Sequence, residues 1–258
     1  MAVAGGGMFM LTSGGTHAEP APSASDPVSV FAWLAPRQGD VLEQETFRGG
    51  LTRRLMQDHR VSWLTQWPSD PAALPPDLQD DGLFVLFMDD PAADRQLLAA
   101  ALDPGRVRAL EAWVLRGGKL LVLADPRLGG AGVQPLLGRF GMALGRGIAG
   151  GKNWTFRDHT PVVAGLRWTT TRQGRLDILE NPDAPPPILV MTDRSVPVNE
   201  SGATDPDGAV MLLVQHGSGR VGVVAAERWL GDSRDEAVGN PGVLNALVTW
   251  LTQSNREN

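Results

Sequence analysis

The chain has 258 residues, 42% of them hydrophobic and 20% charged, with a formal net charge of −6 and a pI near 5.2. This suits one large α/β domain or two small ones with an ample core, and the acidity with no basic run argues against a nucleic-acid partner. Cysteine is absent, which excludes a thiol nucleophile, a thiolate metal site and any disulfide frame.

Residues 1–27 form a tail distinct from the domain expected over 28–254. Ala2–Ser13 is small and apolar and leads into a Pro/Ala/Ser stretch ending at Pro27. That order resembles an export signal or the end of a membrane anchor, and a disordered tail is the plainer reading. About ten apolar residues cannot span roughly 30 Å of hydrocarbon.

Val28–Leu34 reads as the first strand, and Gln44–Asp58 as a helix with Phe47, Leu51 and Leu55 on one face. Val61–Trp67 is a second strand ended by Pro68, and the proline-rich Ser69–Gln79 is a loop. Leu83–Met88 is a continuous apolar run, as a strand covered on both faces would be. It ends in Asp89-Asp90-Pro91, and Ala92–Ala101 forms a short helix.

Asp103 then caps a helix whose first residue is Pro104, where a missing N–H costs nothing. Val107, Leu110 and Val114, with Trp113 beside them, make its core stripe, and Gly117-Gly118 end it. Lys119–Ala124 is another buried strand. Asp125-Pro126-Arg127 leaves its carboxyl end, where open α/β sheets place ligands. The order β-α-β-β-α-β predicts a mainly parallel sheet with helices on both faces.

Val133–Phe140 suggests a further short helix. Gly141–Gly151 reads as a flexible glycine-rich connection, since Gly145-Arg146-Gly147 completes no phosphate-binding motif. Trp154–Ile178 holds short extended pieces, and Ile188–Thr192 is a strand. Ala209–His216 and Arg220–Ala226 flank Gly217-Ser218-Gly219 as a β-hairpin. Asn240 caps a last helix in which Leu244, Leu247, Val248 and Leu251 form one apolar face.

Acids close three of the predicted strands: Asp89 with Asp90, Asp125, and Glu227. On neighbouring parallel strands they would share one sheet edge, able to perturb one another's pKa, bind a cation or accept hydrogen bonds from a sugar. Taken singly, each Asp-Pro is ordinary turn chemistry. Of the four histidines, His159, in a loop before Thr160-Pro161, is the one singled out for a role. His59 suits a helix end as a structural imidazolium, and His216 at the hairpin turn reads as exposed. No zinc-ligand spacing occurs, and Gly217-Ser218-Gly219 lacks the flanks of a serine nucleophile elbow. No catalytic set, metal site or cofactor motif emerges.

Three phrases together resemble a family. Ala112–Pro126 resembles the "fV-x-x-GG-x-llv-x-x-Dp" segment of class I glutamine-amidotransferase-like domains. His159–Leu166 is similar to their "HPi-x-x-GL" phrase with one inserted residue. Gly217–Ala226 followed by Asn240–Leu251 resembles their "GkGrvvvlaD…dNa-x-l-x-nll-x-WL" ending. The combination resembles the non-enzymatic branch found in auxiliary domains of gliding-motility-type ABC transport systems and related membrane-anchored bacterial domains.

The resemblance implies a flavodoxin-like three-layer α/β sandwich with a C-terminal β-hairpin and helix. Enzymes of the class carry a cysteine at a sharp strand-to-helix turn. Here Asp125-Pro126-Arg127 stands at the corresponding place in order, and no thiol exists anywhere in the chain. Glu227 stands where many relatives have Asp.

The implied function is that of a non-catalytic accessory domain, periplasmic or tethered to the inner membrane. It would bind ABC transporter membrane subunits or a small polar ligand through Asp89, Asp90, Asp125, Arg127, His159 and Glu227. The alternatives are a carbohydrate-related enzyme or sugar-binding protein using the strand-end acids, and a purely structural interaction module.

Overall fold

The computed structural model describes residues 28–34, 55, 57, 59–64, 67–70, 72–75, 78, 82–88, 94–124, 132–149, 154–156, 167–168, 173–179, 189–192, 209–225 and 240–253. The tail 1–27, most of the Gln44–Asp58 segment and the polar stretch after the hairpin lie outside these residues.

Among the described residues eleven strands form one sheet. In chain order they are β1 (Ser29–Leu34), β2 (Arg60–Leu64), β3 (Leu83–Met88), β4 (Lys119–Ala124), β5 (Met142–Ala149), β6 (Trp154–Phe156), β7 (Arg167–Trp168), β8 (Gln173–Ile178), β9 (Leu189–Thr192), β10 (Ala209–His216) and β11 (Gly219–Ala225). The helices are α1 (Arg95–Ala101), α2 (Pro104–Leu115), α3 (Gln134–Arg139) and α4 (Asn240–Thr252). Leu55 and Gln57 also have helical backbone.

The main path runs β2-β1-β3-β4-β11-β10-β9-β6-β7. Its first five members are mutually parallel, in the 2-1-3-4-5 order of flavodoxin-like folds, with β11 as the fifth. From β10 onward every pairing is antiparallel, with β8 branching from β10 and β5 from β8. The mainly parallel expectation thus describes the core of the sheet, and an antiparallel extension widens it.

The two faces bury separate clusters. One face packs Phe84, Leu86, Leu120, Val122, Val221 and Val223 against Leu98 of α1, the stripe of α2, and Leu136 and Leu137 of α3. The other packs Val85, Phe87, Leu121, Leu123 and Val224 against Leu55 and against Leu247, Val248 and Leu251 of α4. Leu83–Met88 is buried along its whole length, which explains why it shows no alternation.

Gly141–Gly151 is not a simple loop. Most of it is β5, paired antiparallel with β8, and its register slips between Leu144 and Ile148. Gly145, Arg146 and Gly147 occupy that irregularity, as glycines often do where a strand bulges.

The Gly-Gly turn and the hairpin tip form one joint. After α2, Gly118 N–H donates to Trp113 O (3.0 Å) and Gly117 N–H to Val114 O (2.9 Å), the paired bonds of a Schellman ending, with Gly117 at φ +127°. A Cβ on Gly118 would overlap the Trp113 ring, and one on Gly219 would overlap the carbonyl oxygens of Val114 and Gly118. The tip fits into this space: Ser218 N–H donates to Leu115 O (3.1 Å) and Arg220 N–H to Gly118 O (3.2 Å). At Gly217 the chain turns with φ +61°.

Candidate functional site

The register aligns the carboxyl ends of the central strands. Met88 of β3 pairs with Ala124 of β4, which pairs with Ala225 of β11. Asp89 and Asp125 follow directly in the sequence and Glu227 two residues later. The parallel-neighbour condition for a shared acidic edge is therefore met by the strands. Asp89, Asp90, Asp125, Arg127, His159 and Glu227 themselves lie outside the described residues.

Strand order distinguishes among them. In a 2-1-3-4-5 sheet the chain reverses direction of growth between β1 and β3, and ligands occupy the crevice there. Asp89 and Asp90 follow one of its two bounding strands. The strands on either side of His159 in sequence, β6 and β7, lie at the far end of the path, beyond β11, β10 and β9. The sheet order groups β3, β4 and β11 as neighbours and sets β6 and β7 apart from them.

Two helices begin after β3, and each carries its own anion at its N-terminus. Asp94 accepts from Gln96 N–H (2.8 Å) and Leu97 N–H (3.0 Å) ahead of α1. Asp103 accepts from Gly105 N–H (2.6 Å) and Arg106 N–H (3.1 Å) ahead of α2, where Pro104 has no N–H to offer. Helix N-termini attract anions through such donors, and here side-chain carboxylates already occupy them.

Arg106 joins the segments around this edge. Its Nη1 donates to Ala100 O and Ala101 O at the end of α1 (both 3.1 Å), and its Nη2 to Pro68 O after β2 (2.9 Å). The guanidinium lies over Trp67 at 5.7 Å and contacts Asp103 at 3.3 Å. Trp67 in turn meets the edges of Trp33 and Phe84, with centroids 5.6 Å away in both cases. With its bonds directed to backbone carbonyls, Arg106 holds together the segments at the carboxyl edge of the sheet.

One histidine expectation changes. His216 is buried, 9% exposed, with its ring edge-on to Phe140 at 5.4 Å. It sits on the face that packs α2 and α3, so the hairpin turn does not expose it. Burial lowers its pKa from the ordinary imidazole value, and Glu111 partly offsets this. His59 stands at a helix end as expected, its N–H donating to Leu55 O (2.8 Å), and its Nδ1 accepts from Val28 N–H (3.4 Å) just ahead of β1.

Among the described residues no group of three potential metal ligands occurs, and no helix is long and apolar enough to cross a membrane.

No protein-family model and no curated protein matches the chain. Solved structures do. The chain is similar to the mmIFT52 N-terminal domain, with 14% identity and a TM-score of 0.56 over 90% of this chain and 100% of that one. It is similar to a ThuA-like protein from Bacteroides uniformis ATCC 8492, with 11% identity and a TM-score of 0.53 over 93% and 98% of the two chains. A cytoplasmic protein from Salmonella typhimurium LT2 matches with 10% identity and a TM-score of 0.50 over 87% and 97%. ThuA-like proteins have a class I glutamine-amidotransferase-like fold, and at these identities the shared property is that fold alone.

Proposed function

We propose that this chain is a non-catalytic accessory domain of a bacterial ABC-type transport system, exported or held at the membrane. It binds a partner subunit or a small polar ligand at the carboxyl edge of β3, β4 and β11. The observation that carries this reading is the end of β4. An amidotransferase-like sheet leads there into Ala124-Asp125-Pro126, in a chain with no cysteine. The three family-like phrases support the choice of transport system. The test is co-expression of the full chain with any ATPase and permease encoded beside it. Co-elution that Asp89→Asn with Asp125→Asn weakens supports the reading; a folded chain that elutes alone in the presence of both subunits sinks it.

A sugar-binding role is favoured by one feature: with Asp94 and Asp103 filling the helix N-termini, this edge suits neutral polyols or cations better than anions. Calorimetric titration with neutral and amino sugars separates the two readings, since saturable heat lost in the same double variant points to the sugar.

A further inference from the structure

His216 is the one buried polar or charged side chain among the described residues, and its Nε2 is buried without a hydrogen-bond partner. It is the last residue of β10 and pairs with Gly219 across the turn, so it lies at the root of the tip that docks on the end of α2. Its face of the sheet carries Glu111 from α2 and Arg139 from α3, and these two pair at 3.5 Å. Arg108 of α2 and Arg116, which follows its last residue, are exposed. Strand alternation sends Lys119, Arg220 and Asp177 to the opposite side from Leu120, Val221 and Leu176, and Arg220 there lies over Trp250 at 4.9 Å.

We propose that His216 is a proton-sensitive latch: protonation of its ring releases the β10–β11 tip from the end of α2. A neutral ring fits this position, packed on Phe140 with one unpaired nitrogen. Adding a proton puts a charge and an unmet donor in an apolar setting, and the one carboxylate acting on it is already engaged by Arg139. The ring relieves this by reaching water, and Ser218 and Arg220 then lose their bonds to Leu115 O and Gly118 O.

The test follows the His216 ring by NMR through a pH titration of the full chain, together with amide exchange at Ser218 and Arg220 corrected for the intrinsic rate. If the proton enters only the open tip, protection of both amides falls about tenfold per pH unit below the ordinary imidazole pKa. Val122, in the central strand, keeps its protection. In His216→Phe the two amides show no such dependence. Flat protection in the native chain, or the same slope in His216→Phe, overturns the latch. Should that variant fail to fold, Glu111→Gln must shift the ring titration and the loss of protection together; movement of one alone, or of neither, overturns it equally.

Discussion

Gly219→Ala is the sharpest perturbation of this fold. The new Cβ would overlap the carbonyl oxygens of Val114 and Gly118, and Val114 C would lie 2.9 Å away. These are backbone atoms of a helix end and its turn, so no side chain can rotate aside. The tip must lift, and the bonds from Ser218 N–H and Arg220 N–H are lost with it. Each bond contributes about 1 kcal/mol net. Overpacking adds about 1–3 kcal/mol. The expected loss is therefore about 3–5 kcal/mol, a large share of the roughly 5–15 kcal/mol typical of a folded domain. Urea denaturation followed by tryptophan fluorescence measures it, and an unchanged m-value shows that the same cooperative unit unfolds. A loss under about 0.5 kcal/mol, with both amides still protected, would refute the argument that backbone contact at the joint requires glycine.

Gly138→Ala is the control. No atom lies within 4 Å of its added Cβ, so helix propensity should leave stability unchanged or raise it by up to about 1 kcal/mol in the same assay. Asp103→Ala removes the acceptor for Gly105 and Arg106 N–H and should cost about 0.5–2 kcal/mol; thermal unfolding unchanged from the native chain would show the cap to be dispensable. His216 has a lowered folded-state pKa, so on acidification the unfolded chain takes the proton first. Stability is lost as pH falls from about 6.5 through the folded value, by at most about 1.4 kcal/mol per pH unit. Unfolding midpoints across that window should flatten in His216→Phe.

The central elements were legible because each carries a local signal that packing reinforces. Leu83–Met88 and Leu120–Ala124 are unbroken apolar runs and prove to lie buried on neighbouring strands. Asp103-Pro104 marks a helix start that the cap bonds bear out. β5 was not legible, because Gly145 and Gly147 look like punctuation until β8 supplies a partner for the residues on either side of the bulge. The one available sign was Met142, Leu144 and Ile148 keeping an even spacing through the glycines. His216 misled for a related reason. Proximity to a turn suggests exposure, but the tip folds onto α2, so a residue at the end of the hairpin is carried into the core. Of the candidate site, the strand neighbours of the acids were legible, whereas Arg106 was not. A lone arginine in a helix gives no sign that it will gather carbonyls from Pro68, Ala100 and Ala101.

The phrases that carry the family resemblance have a physical explanation that separates fold from chemistry. Two of them, Ala112–Pro126 and the hairpin phrase from Gly217, meet at the amino ends of β4 and β11. Their glycines answer to contacts within this joint: Gly118 to the Trp113 ring, Gly219 to backbone carbonyls, Gly217 to a left-handed turn. Any chain that docks this hairpin on this helix needs them, whatever it binds. Ligand chemistry in such sheets belongs to the opposite ends of the same strands. The joint and the carboxyl edge are about six residues apart along β4, roughly 20 Å at strand rise. Here the joint is intact, and β4 runs at its carboxyl end into Asp125-Pro126 in a chain with no cysteine.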